Sequence, residues 1–292
     1  MQASPFIISK AVVKSQVRNN LLLIRFSPKP SLSAGVSYLL LFFLIMSCTT
    51  LRLPGTKRTK NLYPNGFISL TASDYADHLA SLKNHFLSTP GVKILKNAFA
   101  KNYVETIAGE IISKNEIFFN NLKQVDVTIL DQEAPLHFSL PKGEIFLSRG
   151  LISKYIKHES MLVSILSYEL VRSENLLYPK KTMIPVGFIP VERLLSHQRL
   201  NLEEKVEIHK WAHYLTVRSG YDGEYYLSWL QTQNRNTADF ILQVGDINLI
   251  NREEATFKSH LIKITKKDEV PGKKNSSRSF YTFINSIRDQ SL

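Results

Sequence analysis

"ILSYELVRSEN", residues 165–175, is the stretch on which the reading of this chain turns. Leu162, Ile165, Leu166 and Leu170 recur at helical spacing, and Glu169 falls in the middle of that apolar run. An acid there is either a solvated side chain on an ordinary helix or a buried carboxylate that needs a counter-charge. Arg172, three residues on, is the nearest cation on the same helix. The pattern begins at Gly150 and runs through Leu151, Ile152, Tyr155 and Ile156 to about Ser173, which predicts one long helix.

Upstream of this helix the hydrophobic period is two. Val125, Val127 and Ile129 alternate with polar residues, and two further runs, Leu136 to Leu140 and Glu144 to Leu147, flank the turn signal Pro141-Lys142-Gly143. The spacing predicts a small antiparallel sheet. Before the sheet stand two helical stretches. One is capped by Ser73-Asp74 and reaches Phe86; the other carries Ile94, Ala98, Val104, Ile107, Ile111 and Phe118 along one face. After the long helix, residues 174–200 read as loop, followed by helices over Leu202 to Arg218, Asp222 to Thr232 and Glu253 to Ile264. A lysine-rich segment, Lys266 to Arg278, leads to an amphipathic end, Phe280 to Ile287. Sheet and helices together predict an α+β fold.

The bulk numbers fit a globular core with additions. With 292 residues and 43% hydrophobic content the chain can bury a sizeable core. Formal net charge is +12, of which +5 comes from Lys10, Lys14, Arg18, Arg25 and Lys29 in residues 1–48, a segment with no acid. The remaining +7 is spread rather than clustered, and there is neither a basic stripe interleaved with aromatics nor a cysteine–histidine finger, so nucleic acid is not an expected partner. The one cysteine, Cys48, excludes an intramolecular disulfide. It follows the apolar run Tyr38 to Met46, whose nine residues are too few to span a bilayer, which takes about 20, but suit the centre of an export signal. Ile45-Met46-Ser47-Cys48 resembles the bacterial lipobox, which implies lipidation of Cys48 and attachment to a membrane through acyl chains. A lone buried cysteine and an organellar transit peptide are the competing readings. Residues 49–66 are polar and turn-rich and read as a tether. The expected organisation is a signal segment over 1–48, a tether over 49–66, a folded domain over 67–265 and a basic tail over 266–292.

The order of sheet, turn, strand and long helix resembles a known family. Leu136-His137-Phe138-Ser139-Leu140-Pro141-Lys142-Gly143-Glu144-Ile145-Phe146-Leu147-Ser148-Arg149-Gly150-Leu151 is similar to the "NAFALPGGYIFVTRGLL" segment of metallopeptidase family forty-eight. That family includes the HtpX-type heat-shock protease, the CAAX prenyl protease and periplasmic quality-control proteases. Its following helix, "AELAAVLAHEIGHV", is similar to the stretch Glu159 to Arg172, with the HExxH set against Tyr168-Glu169-Leu170-Val171-Arg172. Its later motif, "ExxADxxGxxxLxxAGYD", falls on Lys205 to Asp222, anchored by Ala212, Leu215 and Ser219-Gly220-Tyr221-Asp222. The resemblance spans about residues 120–265 and implies a zincin-like (gluzincin) helical core.

Family chemistry explains what these positions would need. Histidines at i and i+4 share a helix face and hold zinc at about 2.0–2.1 Å, with the intervening Glu as general base. A later Glu completes the ligands, and an Asp orients a histidine from behind. Carried over, the resemblance puts the two histidines on Tyr168 and Arg172, the base on Glu169, the ligand Glu on Lys205 and the Asp on His209. A two-residue slip would move the ligand Glu to Glu203 or Glu207 but leave Tyr168 and Arg172 as they are. Two fixed cations stand where a dication belongs, and zinc about 4 Å from either is opposed by roughly 8 kcal/mol at an effective dielectric of 20.

The resemblance therefore implies a catalytically inactive pseudopeptidase without cofactor, with Glu169 a vestigial base paired with Arg172 and Lys205. It implies that Leu136, His137, Phe138, Ser139 and Leu140 form a strand edge for a peptide or an envelope protein, with His137 only a strand side chain. It also implies a place in the bacterial envelope, at the outer membrane facing the periplasm. The alternative is an active zinc metalloendopeptidase using displaced ligands, with His209, His213 and Glu169 as candidates.

Overall fold

The computed structural model describes residues 72–178, 187–264, 272–273 and 275–289. The lipobox-like segment with Cys48, the tether and most of the lysine-rich stretch lie outside the described residues. Nine α-helices and three strands are described: α1 (Ala72–Leu87), α2 (Ala98–Lys114), β1 (Asp126–Leu130), β2 (His137–Leu140), β3 (Glu144–Ser148), α3 (Glu159–Glu174), α4 (Val191–His197), α5 (Leu202–Arg218), α6 (Glu224–Arg235), α7 (Thr237–Val244), α8 (Ile247–Lys263) and α9 (Arg278–Arg288). The architecture is α+β and mostly helical.

The sheet is mixed, not antiparallel. Its order is β1-β3-β2, with β2 antiparallel to β3 and β1 parallel to β3 in the register Asp126↔Glu144 to Leu130↔Ser148. A hydrophobic period of two reports which face of a strand is buried and carries no information about strand direction. The parallel register sets two acids opposite one another, and Lys83 of α1 ion-pairs with both Asp126 and Glu144.

Helix α3 is the centre of the described domain. Every residue from Glu159 to Glu174 is buried, as expected of a helix that is covered on all sides. Its serines let neighbours approach: Ser167 Oγ accepts from Thr216 Oγ1 of α5 at 3.2 Å, and α5 is the helix it packs against most extensively. Ser173 fixes the hairpin turn, accepting from the Gly143 N–H at 3.0 Å and donating to the Leu140 carbonyl at 3.2 Å. Gly143 is in the left-handed region (φ 79°), and a Cβ there would lie 2.4 Å from the Gln124 carbonyl oxygen, so both conformation and space require glycine.

Helical boundaries differ from the sequence reading in identifiable ways. The helix expected from Gly150 is broken: Leu151–Tyr155 form a single π turn, Ile156 is extended, and His158 caps α3 by accepting the Ser160 N–H at 3.2 Å. The segment read as loop contains α4. Helix α8 starts at Ile247, six residues before Glu253, behind the Gly245 left-handed turn and the Asp246 cap.

Candidate functional site

Strand and helix periodicities meet at Glu169. His137 and Ser139, two apart on β2, present one strand face to α3, while Phe138 faces the other way and stacks on Phe146 at 4.6 Å. His137 Nδ1 donates to Glu169 Oε1 at 2.6 Å, and Ser139 Oγ donates to Oε2 at 2.7 Å. Arg172 Nη1 is 4.0 Å from Oε2. Burial alone would push this carboxyl up, but the His137 hydrogen bond and charge, Arg172 and the Ser139 hydrogen bond hold it below the ordinary glutamate range. Glu169 is thus an ionised, fully buried carboxylate with both oxygens engaged.

The expected cation pairing is corrected in one half. Arg172 is close to Glu169, but Lys205 is not its partner: Lys205 Nζ donates to Glu253 Oε1 of α8 at 2.7 Å. Glu253 also takes His209 Nε2 at 3.2 Å, and His209 Nδ1 is 2.9 Å from the Tyr226 hydroxyl. Burial pushes His209 below the ordinary imidazole range. His137 is likewise more than a strand side chain, since it is the main partner of Glu169. Arg172 donates Nη2 to the Gln198 carbonyl and Nε to the Leu177 carbonyl (3.3 Å), with its guanidinium 5.0 Å over the Tyr178 ring. Tyr168 packs its ring edge against His137 at 6.0 Å and lies 5.0 Å from the His209 ring.

These side chains surround a hollow of about 40 Å³, lined among others by His137, Tyr168, Arg172, Lys205, His209 and Glu253. Zinc does not fit this donor set. The positions that the resemblance assigns to ligands offer a phenol raised far above its ordinary range by burial, a guanidinium and an ammonium. Among the described residues no group of three or more His, Cys, Asp or Glu side chains converges as a metal site would require. His209, His213 and Glu169 do not form one group: both ring nitrogens of His209 are engaged, and His213 packs against Tyr226 and Phe257 with ring centroids 6.0 and 5.6 Å away.

The edge of β2 has an occupant. In the order β1-β3-β2 it is an outer strand, yet Gln243 of α7 covers it: His137 N–H donates to Gln243 Oε1 at 3.1 Å, and Gln243 Nε2 donates to the His137 carbonyl at 2.7 Å. One side-chain amide thereby reproduces the two hydrogen bonds of a neighbouring strand.

Two site residues escape a reading from sequence. Glu253 reads as an ordinary first-turn acid if its helix starts there; only the earlier start puts it on the buried stripe of Ile250, Glu253, Glu254 and Phe257. Gln243 belongs to a helix that the sequence reading left out. Compared with known proteins, the chain matches no protein-family model and no curated protein.

Proposed function

We propose that the domain is a metallopeptidase-like scaffold that has lost its chemistry, a zincin-like helical core that binds or organises a peptide or envelope protein and does not cleave it. The observation that carries this reading is Glu169. A general base must reach water with an oxygen free to accept a proton. Here one oxygen is held by His137, the other by Ser139, and hydrogen bonds and charge hold the acid below its ordinary range.

The surroundings support the same reading. Lys205 and Arg172 add two fixed cations, and the carboxylates nearest them already have partners. In this reading, packing and the Ser167–Thr216 hydrogen bond hold together α3 and α5, the helices a metal would join in a peptidase, and the Lys205 and His209 pairs with Glu253 tie α5 to α8. An extended partner would add to the β2 edge by displacing Gln243, whose side-chain amide holds that edge at His137. Lipidation of Cys48 and attachment at the bacterial envelope remain part of the proposal, carried by the lipobox-like sequence alone.

The test is metal content and cleavage together. Purified protein dialysed against zinc should retain far less than one zinc per chain and leave unfolded casein intact. Stoichiometric zinc with proteolysis that Glu169→Gln abolishes would replace this reading with the active peptidase.

A further inference from the structure

The hollow beside Glu169 carries polar atoms that the salt bridges leave unused. Gln198 and His137 both line it, and each is only 4% exposed. Neither atom of the Gln198 side-chain amide has a hydrogen-bond partner, and His137 Nε2 has none either. Buried polar atoms are nearly always satisfied, so three of them around one small space point to a group that satisfies them. At about 40 Å³ the hollow exceeds the roughly 10–15 Å³ that one water needs, so it admits a larger group.

The three atoms say what that group is. Gln198 Nε2 is a donor and Gln198 Oε1 an acceptor. His137 donates through Nδ1 to the Glu169 carboxylate, which leaves Nε2 as a second acceptor. One donor and two acceptors are complemented by a group with one acceptor and two donors. A carboxylate fails, because it has no proton to give to Gln198 Oε1 or His137 Nε2. An ammonium or guanidinium fails too: it has no acceptor for Gln198 Nε2, and Arg172 and Lys205 line the same hollow as cations. Those two already have partners within the protein, Arg172 in the Gln198 and Leu177 carbonyls and Lys205 in Glu253, so they repel a positive ligand without calling for a negative one. What remains is neutral, with one carbonyl oxygen and two N–H donors.

We infer that this hollow is a binding site for a primary carboxamide, paired edge to edge with the Gln198 amide and held from the other side by His137 Nε2. The geometry of the amide gives the site a stereochemical rule. In a primary amide one N–H lies on the same side as the carbonyl oxygen, so the two can meet Oε1 and Nε2 of Gln198 in a closed ring of two hydrogen bonds. The other N–H is then free for His137 Nε2. A backbone peptide bond is trans, with its N–H and carbonyl on opposite sides, and cannot close that ring. The site therefore refuses the main chain of a peptide and accepts the end of an asparagine or glutamine side chain, or a small free amide. Leu195 and Leu200 in the lining offer apolar surface to the carbon that carries the amide. Arg172 fixes the platform, since its Nη2 donates to the Gln198 carbonyl. Arg199, exposed and part of the lining, marks the side on which the hollow meets solvent.

This inference deepens the scaffold reading by naming a group on the bound partner, and rests on it only in that no metal fills the hollow. The experiment is titration of metal-free full-length protein with acetamide, N-methylacetamide and acetate, followed by nuclear magnetic resonance of the Gln198 side-chain NH2 group. Acetamide should shift those resonances saturably. N-methylacetamide and acetate should bind at least about tenfold more weakly, because each loses a hydrogen bond of the ring. Two peptides capped by N-acetyl and N-methylamide groups, alanyl-glutaminyl-alanine and alanyl-glutamyl-alanine, separate the sources of the amide. Tighter binding of the glutaminyl peptide than of acetamide or the glutamyl peptide assigns the site to a side chain of a partner; acetamide binding without that gain assigns it to small amides.

Gln198→Leu removes the donor and the acceptor of the ring together at similar volume. No side-chain hydrogen bond within the protein is lost, so Tm should stay unchanged or rise while acetamide binding weakens about tenfold or more. If that variant does not fold, the unaltered protein still decides, because the comparison of acetamide with N-methylacetamide needs no substitution. Equal binding of the two amides overturns the inference. No saturable shift with either leaves the hollow to water alone and overturns it as well. Both results leave the scaffold reading standing, which stoichiometric zinc with cleavage would overturn instead.

Discussion

The imidazole of His137 and the carboxylate of Glu169 stand 2.6 Å apart, both buried, and tie the outer strand of the sheet to the middle of the central helix. Ser139 makes the second tie at 2.7 Å, and Ser173, one helical turn beyond Glu169, holds the hairpin turn. Helix face and strand face are thus joined along a line of polar contacts inside an apolar core. Such contacts specify one register and one depth of packing, because a slip by one strand residue would bury these groups without partners.

The first prediction concerns that tie. Glu169→Gln keeps shape and one acceptor but leaves Arg172 and its surroundings without the buried counter-charge. Removing one member of a buried charge pair costs roughly 3–5 kcal/mol, and the lower end applies here because the amide still accepts a hydrogen bond. Urea unfolding monitored by far-ultraviolet circular dichroism checks it. A loss under about 0.5 kcal/mol, the range of ordinary surface substitutions, would mean that Glu169 is dispensable to the fold.

The sequence made this carboxylate visible and hid its partners, for physical reasons. Glu169 stood out because an acid inside an apolar helical run is anomalous. Arg172 was legible because three residues on a helix is a fixed short distance. His137 and Ser139 alternate with Leu136, Phe138 and Leu140, so the polar face of β2 was readable, but which helix it faces depends on tertiary contacts across 30 residues. The pairing of Lys205 with Glu169 follows from the resemblance alone, while Glu253, the partner that Lys205 has, is masked in the sequence by a helix that begins six residues earlier than its apolar pattern indicates. The parallel pairing of β1 with β3 had no local signal at all.

Acid should weaken the fold before its carboxylates titrate. Burial lowers His213 to about 4 and depresses His209 as well, so the unfolded chain takes up protons that the folded chain refuses. Stability is complete above the ordinary histidine value of about 6.5 and falls as pH drops below it, by on the order of 3 kcal/mol for His213 by pH 4. Glu169 and Glu253 have lowered values, so their contribution persists through that window and is lost only below the ordinary glutamate range. Urea midpoints between pH 7.5 and 5 should therefore decline, and His213→Leu should flatten the decline. An unchanged slope in that variant would contradict the assignment.

Glu174 should prove as important to the fold as any apolar core residue. At the end of α3 its carboxylate accepts the N–H groups of Asn120, Asn121 and Leu122 at 2.9, 3.1 and 2.9 Å, closing the loop that leads into β1. Glu174→Ala leaves three backbone donors without that acceptor, at about 1–3 kcal/mol for each one that water does not reach. A total loss of roughly 2–4 kcal/mol is expected. Faster amide hydrogen exchange at residues 120–122 in the variant would locate the damage, whereas unchanged exchange there would place it elsewhere.

Whether β2 can take a partner strand depends on Gln243. Its side-chain amide makes both hydrogen bonds that an incoming backbone would make at His137, so strand addition must displace it. Gln243→Leu removes both, at about 0.5–1.5 kcal/mol of stability for each bond. The freed edge then exposes a donor and an acceptor that a peptide can satisfy. Two outcomes follow together: hydrogen exchange at the His137 amide quickens, and a library of extended peptides binds the variant more tightly than the unaltered chain. Faster exchange without any gain in peptide binding would separate the two effects. Gln243 would then be a structural clamp on an edge that no peptide uses, and the scaffold's binding face would have to lie elsewhere on the domain.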